Sequence, residues 1–279
     1  MSAVLRAGLG PAQVRPEPTT VAGPVTQLRV VRAEWTKLRG LRSTWWCGLS
    51  AVVLIVGVGD AIAGLGPPYH VSAANSAAAG ASASLLGLLL AQLVIGVVGV
   101  LTFSGEYGTG MIRATLAVVP SRLPVLWAKL IAVAGLVLPV TLLCAVADFF
   151  TSTALLKARG GSVISLTEPG VLRTVVGASL YLTVVVVIGL ALGALLRRTA
   201  AALAVFAALF FVVPIVVAYL PHNITGFAPY LPSNAGGALW GNALFPGHEL
   251  GPWAGFAVLC GYAAVLIAAA AWRLRRRDA

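Results

Sequence analysis

The segment that separates the second and third long apolar runs holds the side chains best suited to chemistry. It opens with an acidic residue, Glu106, followed by closely spaced glycines that allow a sharp change of direction. Met111, Ile112 and Leu116 then form an apolar stripe, with Arg113 beside it. An apolar stripe next to a charge is suited to docking in a groove on a soluble partner. The pattern therefore predicts recognition of another protein rather than catalysis.

Glu106 itself has two interpretations. Its carboxylate can cap the short helix that follows, through exposed amide groups and the helix dipole, which contributes about 1 kcal/mol. Alternatively, it pairs with a cation, either Arg113 or a basic residue on the partner, and loss of the charge at such a desolvated contact costs about 2 to 5 kcal/mol. We favour the ion pair, because this segment is expected to meet a partner surface.

The chain carries none of the common enzyme motifs. It has no G-x-x-x-x-G-K-[ST] loop for ATP, no H-E-x-x-H and no G-x-S-x-G. His222 is too far in sequence from His248 and Glu249 to indicate a metal site. All three cysteines fall inside apolar runs, as small buried side chains do. We therefore predict neither a catalytic residue nor a metal or cofactor site in this chain.

Two acidic residues, Asp60 and Asp148, lie near the ends of apolar runs. An ionisable residue in a membrane is a candidate for a proton or ion pathway, because its burial is costly. Both residues are predicted near the outer interface, where that cost is smaller, so structural or hydrogen-bonding roles are favoured. Gln92 is the clearest polar side chain near the middle of an apolar run.

The composition places all these residues in a membrane protein. Of the 279 residues, 59% are apolar and only 10% are charged, and the charges leave long gaps between them. A spanning helix needs about 20 predominantly apolar residues, so these gaps exclude a soluble enzyme, a nucleic-acid binder and a disordered chain. We predict an all-α integral membrane protein with six transmembrane helices, called spans 1 to 6. The spans cover about residues 44–64, 84–103, 123–148, 174–196, 199–220 and 252–272.

Two further parts precede the six-span domain (42–277). Residues 1–24 contain prolines that break any helix, and we predict a disordered cytoplasmic tail. Residues 25–41 are predicted to form an amphipathic interfacial helix, because basic side chains flank an apolar stripe that contains a tryptophan, as suits the headgroup layer. The stripe is Leu28, Val31, Trp35 and Leu38, and the flanking cations are Arg29, Arg32 and Arg39.

The basic residues assign the two sides of the membrane. With both termini inside, sixteen of the 19 Lys and Arg residues fall on the inner side. The other three are Lys157, Arg159 and Arg173. Cytoplasmic loops carry an excess of Lys and Arg, so this distribution predicts six spans with both termini in the cytoplasm. The net charge of +11 therefore indicates membrane topology rather than binding to nucleic acid.

Three segments, in their order, resemble the permease subunits of bacterial ABC-2-type ABC transporters, with a composition typical of an organism of high GC content. The first is Glu-Trp-Thr-Lys-Leu-Arg at 34–39, before span 1. The second runs from Glu106 to Arg122 and contains Arg-Ala-Thr-Leu and Pro-Ser-Arg. The third is Tyr-Leu-Pro-Ser-Asn-Ala-Gly at 230–236, before span 6. Together with the six-span layout they cover nearly all of residues 25–277.

The resemblance implies a permease that forms the translocation pathway in the bacterial plasma membrane and pairs with another permease as a homo- or heterodimer. A separate ABC ATPase subunit would bind ATP and Mg²⁺, and the loop 105–119 would couple to it. Export is implied rather than import, and residues before span 6 would form short helices near an outer gate. The residues so assigned are Glu106, Tyr107, Thr109, Met111, Ile112, Arg113 and Leu116 for coupling, and Tyr230, Pro232 and Asn234 for the outer gate.

The alternative is a secondary transporter driven by protons or sodium, with no ATPase partner. Such a transporter normally places ionisable or unwound elements near the middle of the membrane, where this chain has few polar residues. An intramembrane enzyme is a third class, and the sequence lacks the paired catalytic residues that it would need.

Overall fold

The computed structural model of the chain describes residues 26–40, 42–67, 69–71, 76–111, 122–221, 225–242 and 250–276. Across these ranges every regular element is a helix, which confirms the predicted all-α fold class. Six helices in these ranges are long and apolar enough to cross a membrane. The chain is therefore a multi-pass membrane protein. The predicted tail, residues 1–24, lies outside the described residues.

The helices follow the predicted order. The amphipathic helix comes first, the six spans follow, and a short helix lies between spans 5 and 6. Spans 1 and 5 each contain a π-helical turn, at Val53–Gly57 and Ala208–Val212. The amphipathic helix is Gln27–Gly40 and the short helix is Pro232–Trp240. Spans 1 to 6 are, in order, Arg42–Leu65, Ala77–Gly108, Leu123–Ala158, Val171–Leu196, Thr199–Ala218 and Pro252–Arg276.

Spans 2 and 3 are longer than the sequence predicted. Span 2 begins at Ala77 rather than near residue 84, because alanine favours helix and the Ser76 hydroxyl accepts a capping hydrogen bond from the Ala79 amide (3.2 Å). Span 3 continues to Ala158, past its predicted end at residue 148. The predicted ends followed the apolar residues, whereas both helices extend into more polar sequence.

Span 4 is the central helix of the bundle. Its most apolar stretch is 72% buried, compared with 22% in spans 1 and 6. Two of its glycines face the backbone of span 2. A side-chain carbon added at Gly189 would lie 2.6 Å from the Gly96 carbonyl oxygen, and one at Gly193 would lie equally close to the Val100 carbonyl oxygen. The G-x-x-x-G spacing in span 4 therefore allows close packing of two helices within the chain.

Successive spans run in opposite directions, so the start of span 1, the end of span 2 and the start of span 3 meet at one end of the bundle. Arg273, near the end of span 6, donates a hydrogen bond there to the carbonyl oxygen of Leu195 in span 4 (2.5 Å). We call this the terminal end, because the first and last described helices both reach it. The other end of the bundle is the opposite end.

The short helix lies at the opposite end and is inserted between spans. It packs against spans 4 and 6, and its last residue, Trp240, is fully buried. The Trp240 ring lies 6.3 Å from the ring of Tyr181 in span 4, measured between centroids. Span 6 approaches closely because Gly255 has no side chain to meet the Ala235 carbonyl oxygen.

Candidate functional site

Four charged side chains form a cluster at the terminal end. The Lys129 ammonium donates to Glu34 Oε2 (2.7 Å) and to Glu106 Oε1 (2.8 Å). The Lys37 ammonium donates to Glu34 Oε1 (2.8 Å) and to Glu106 Oε1 (3.1 Å). We call Glu34, Lys37, Glu106 and Lys129 the charge cluster. Two carboxylates and two ammonium groups balance one another in it.

Three elements supply the charge cluster. The amphipathic helix contributes Glu34 and Lys37, which share one face because they are three residues apart. The last turn of span 2 contributes Glu106, and the second turn of span 3 contributes Lys129. The cluster therefore ties the amphipathic helix to the two spans that flank the predicted coupling loop.

The charge cluster is largely shielded from water. The side chains of Lys129 and Glu34 are 2% and 4% exposed, and that of Lys37 is 33% exposed. Burial opposes the ionisation of Glu34, but the attraction and hydrogen bonds of the two lysines outweigh it and hold the pKa of Glu34 below its usual value. Burial also opposes the charge on Lys37, yet its bonds to both glutamates raise the pKa of Lys37. Glu34 and Lys37 are therefore held in their charged forms at neutral pH.

Glu106 makes ion pairs within its own chain. Among the described residues its cations are Lys37 and Lys129, while Arg113, the intrachain partner suggested by the sequence, lies outside them. Glu106 lies in the last turn of span 2, and the short helix that it was predicted to cap lies outside the described residues. Its Oε1 accepts from both lysines, whereas its buried Oε2 has no hydrogen-bond partner in the described part of the chain.

The other predicted coupling residues differ in their contacts. Tyr107 stacks on Phe103, with ring centroids 5.9 Å apart, and the guanidinium carbon of Arg197 lies 5.3 Å from the Tyr107 centroid. This contact joins the end of span 2 to the hairpin between spans 4 and 5. The Thr109 hydroxyl donates to a backbone carbonyl one turn earlier (3.0 Å), and Met111 is exposed. Outside the described residues lie Ile112, Arg113 and Leu116.

The buried face of the amphipathic helix differs from the predicted stripe. Its buried residues are Val30, Glu34 and Leu38, whereas Leu28 is exposed. The face is shifted because the carboxylate of Glu34 points to the charge cluster. The row that packs on span 3 is therefore Val30, Glu34 and Leu38, which are spaced four residues apart. Trp35 lies at the edge of this face and is partly buried. The predicted flanking cations Arg29, Arg32 and Arg39 are all exposed.

The predicted outer-gate residues lie at the opposite end, away from the charge cluster. Tyr230 ends the 3₁₀ turn Ala228–Tyr230 and is exposed. Pro232 begins the short helix and is buried. Asn234 is also buried, and its Nδ2 donates to the carbonyl oxygen of Ala228 (2.9 Å). The two segments assigned from the sequence therefore belong to separate regions of the molecule.

Asp148 lies deeper in the protein than predicted. Span 3 continues past it, and its side chain is fully buried. Neither carboxylate oxygen has a hydrogen-bond partner among the described residues. The carboxylate lies against the backbone of Gly59, next to Asp60 in span 1. Span 3 therefore does not end at Asp148, as the sequence predicted, and the protein encloses the side chain.

Glu34, Lys37 and Lys129 were not assigned to a site from the sequence. In span 3 the position of Lys129 indicated an ion pair, because a charged side chain so close to an apolar run needs a partner. Glu34 falls on the same helical row as Val30 and Leu38, which indicates burial. Neither pattern shows that Glu34 and Lys129 pair with each other, because the two residues are 95 positions apart in sequence.

Comparison with known proteins gives one family match. A model of the family described as ABC-2 family transporter protein matches residues 30–215. The matched region begins within the amphipathic helix, ends within span 5 and includes the whole charge cluster. No curated protein matches the chain.

Proposed function

The chain belongs to the ABC-2 transporter family and is a membrane permease of the ABC type, and from this premise we propose that it forms the translocation pathway of an ATP-driven exporter. A separate ATPase subunit binds ATP and Mg²⁺ and carries out hydrolysis, while this chain catalyses no reaction itself. Two permease chains, identical or different, form the pathway in a bacterial plasma membrane. Both termini, and with them the terminal end of the bundle, face the cytoplasm.

The charge cluster is the observation that carries this proposal. It holds the end of span 2 and the start of span 3, and these two helix ends flank the loop 105–119. A force applied to that loop therefore acts directly on both spans and, through Glu34, on the amphipathic helix. Tyr107 and Arg197 extend the contact to the hairpin between spans 4 and 5. Docking of an ATPase at the loop would move these elements together.

Buried ion pairs suit this role because they are strong only while their geometry holds. Removing one partner of a buried pair costs about 3–5 kcal/mol, since the other charge remains buried and uncompensated. Small displacements of the loop are then passed to the spans rather than absorbed by flexible side chains. We infer that closure of the ATPase subunits switches the pathway between inward-facing and outward-facing states through this connection.

The test is purification of the tagged chain from its native membrane and identification of the proteins that accompany it. We expect a subunit with a Walker motif, and ATP hydrolysis by the purified complex in lipid nanodiscs. A chain that purifies without any such subunit, and that transports in vesicles lacking ATP, would contradict the proposal.

A secondary transporter is the second candidate, favoured by Asp148. This side chain is fully buried and its two carboxylate oxygens are unpartnered among the described residues, with Asp60 beside it. Intramembrane carboxylates of this kind occur in proton and ion pathways. Transport driven by a proton or sodium gradient in vesicles without ATP, and abolished by Asp148→Asn, would support this candidate over the first.

A further inference from the structure

A cavity of ≈ 390 Å³ lies beside the charge cluster, between the amphipathic helix and the adjoining parts of spans 1 and 2. Its size is within the range of small-molecule sites in proteins, and most of its wall is apolar. Span 1 borders it from Ser43, in the first turn, to Cys47, about one turn deeper. Span 2 borders it from Thr109, at its terminal end, to Val98, about three turns deeper. The cavity therefore extends from the terminal end of the bundle into the depth of the spans.

Lys37 is the most exposed of the charged side chains that line the cavity. Its side chain is 33% exposed, whereas those of Glu34, Glu106 and Lys129 are 10% exposed or less. An ammonium group has three N–H donors, and Lys37 directs two hydrogen bonds to Glu34 and Glu106. One donor is left for a further acceptor. Because the two carboxylates are covered by the protein, the charge presented to the cavity is positive.

The surroundings of Lys37 also favour an anion. Arg39 and Arg42 are exposed where the amphipathic helix meets span 1, a few residues from Lys37 in sequence. Ser43 and Thr44 line the cavity, and each carries a hydroxyl group able to donate a hydrogen bond. A phosphate oxygen accepts strongly from ammonium and hydroxyl donors of this kind. The end of the cavity nearest the terminal end is therefore suited to a phosphate group.

The same end of the cavity has the features of a membrane interface. Trp45 and Trp46, in the first turns of span 1, are strongly exposed, as are the aromatic belts that mark the headgroup layer. Further along span 1 the exposed side chains are apolar, among them Leu49, Val52 and Val53. Lipid headgroups are therefore available at the polar end of the cavity, and acyl chains at the depth of its apolar end.

We propose that this cavity binds an anionic phospholipid, with a phosphate oxygen accepting from the Lys37 ammonium and part of an acyl chain lying against Cys47, Val98 and Leu101. The volume accommodates the phosphate and the adjoining part of one chain, while the remainder of the lipid stays in the bilayer. A zwitterionic lipid adds a cationic group, which Lys37 and the nearby arginines repel, so the site favours lipids with a net negative charge. The site depends neither on an ATPase partner nor on the direction of transport.

The experiment measures lipid binding by native mass spectrometry, with the full chain purified in detergent together with any subunit that accompanies it. Dioleoyl phosphatidylglycerol is the anionic probe, and dioleoyl phosphatidylcholine has the same acyl chains with a zwitterionic headgroup. We expect one phosphatidylglycerol per chain, bound at least about fivefold more tightly than phosphatidylcholine, the factor that one basic side chain contributes at a membrane surface. Equal binding of the two lipids would overturn the proposal.

Inorganic phosphate distinguishes a lipid site from a site for a free anion. It carries the same acceptor oxygens but lacks the acyl chain, so at millimolar concentration it should leave the bound phosphatidylglycerol in place. Displacement of the lipid by inorganic phosphate would overturn the assignment to a phospholipid.

Lys37→Met removes the ammonium group and should weaken phosphatidylglycerol binding at least about fivefold. Lys157→Met, at an exposed lysine of the opposite end, is the matched control and should bind as the unchanged chain does. Because Lys37 also belongs to the charge cluster, the unfolding temperature of each variant is measured as well. A folded Lys37→Met chain that keeps its preference for phosphatidylglycerol would overturn the proposal.

Ser43→Asp tests the cavity without touching the charge cluster. It places a carboxylate at an exposed position of the polar end and should abolish the preference for phosphatidylglycerol by repulsion. Ala200→Asp adds the same charge at an exposed position of the terminal end that does not line the cavity, and should keep the preference. If both variants bound the two lipids as the unchanged chain does, the assignment to this cavity would be refuted.

Discussion

Lys129 is the residue on which the charge cluster depends most. Its ammonium group is almost completely buried and bonds to both carboxylates, and it also lies 6.0 Å from the centroid of the Phe103 ring. Without it, Lys37 alone would face two negative groups, and Lys37 is the most exposed member of the cluster. The two lysines therefore contribute unequally, although each makes two ion pairs.

Lys129→Met is expected to destabilise the chain by about 3–5 kcal/mol, because it leaves two buried carboxylates short of one positive charge. Thermal unfolding in lipid nanodiscs measures the effect. Lys157→Met, at an exposed lysine of the opposite end, is the control and should change the unfolding temperature little. Adding Glu106→Gln to Lys129→Met should recover part of the loss, since the uncompensated charge is removed. Equal effects of the two lysine substitutions would contradict the importance of the cluster.

The pH dependence of stability should follow Glu34 and Lys37. The pKa of Glu34 is lowered from 4.5, so its stabilisation is complete above pH 4.5 and is lost as the pH falls through the lower value in the folded protein. The pKa of Lys37 is raised from 10.5, so its stabilisation is complete below pH 10.5 and is lost as the pH rises further. Between these limits the contribution of both groups should stay constant.

Unfolding temperatures measured across the acid range test this expectation. Glu34→Gln should be less stable than the unchanged chain at neutral pH. The difference should shrink as the pH falls below 4.5 and then through the lower pKa of the folded protein, where the native carboxylate becomes neutral. A difference that stays the same at low pH would show that the charge of Glu34 does not stabilise the fold.

The six spans were predictable from the sequence, whereas the ends of two of them and the ion pairs that join them were not. Each span contains a long uncharged run, because the part of a helix that crosses a membrane needs about 20 predominantly apolar residues. The ends of spans 2 and 3 were misplaced because alanine-rich and polar turns continue a helix without raising its hydropathy. The charge cluster was not predictable, since its ion pairs join residues as far apart as Glu34 and Lys129. Glu106 was identified, but as part of a loop rather than as the last turn of span 2.

The contact between spans 2 and 4 depends on glycine. Gly189→Leu should destabilise the bundle by about 1–3 kcal/mol or more, because the added side chain would meet the backbone of span 2 at Gly96. The readout is the unfolding temperature in nanodiscs. Gly261→Leu is the matched control, since nothing lies within 4 Å of a side-chain carbon at this glycine of span 6. If both substitutions were tolerated equally, the close packing of spans 2 and 4 would be refuted.

The coupling loop should be separable from the stability of the spans. Met111→Asp places a carboxylate in the proposed desolvated contact with the ATPase, at a cost of a few kcal/mol. We expect the ATPase to dissociate while the purified permease keeps its unfolding temperature. Val163→Asp introduces the same charge at an exposed site of the opposite end and should leave the complex intact. Full ATP hydrolysis by a Met111→Asp complex would show that the loop does not dock the ATPase.

Positive charge is divided unevenly between the two ends of the bundle. In the described part of the chain, Lys157, Arg159 and Arg173 are the Lys and Arg residues of the opposite end, and the others belong to the terminal end. Arg159 also has a structural role, because it donates to the carbonyl oxygens of Ala63 (3.1 Å) and Gly66 (2.5 Å) and so holds the end of span 1. The positive-inside rule therefore predicts that the terminal end, with the charge cluster, faces the cytoplasm, where we propose that it meets a soluble ATPase.

Cysteine labelling in intact cells tests this orientation. In a chain whose native Cys47, Cys144 and Cys260 are replaced by alanine, Val163→Cys presents a thiol at an exposed site of the opposite end, and Ala200→Cys presents one at the terminal end. An impermeant thiol reagent added outside should label Val163→Cys at once, and Ala200→Cys only after the membrane is permeabilised. The permeabilised sample shows that the second thiol is reactive, so its protection in intact cells reports its side of the membrane. Labelling of Ala200→Cys from outside intact cells would reverse the topology and place the charge cluster, and with it the proposed ATPase contact, on the wrong side for coupling to ATP.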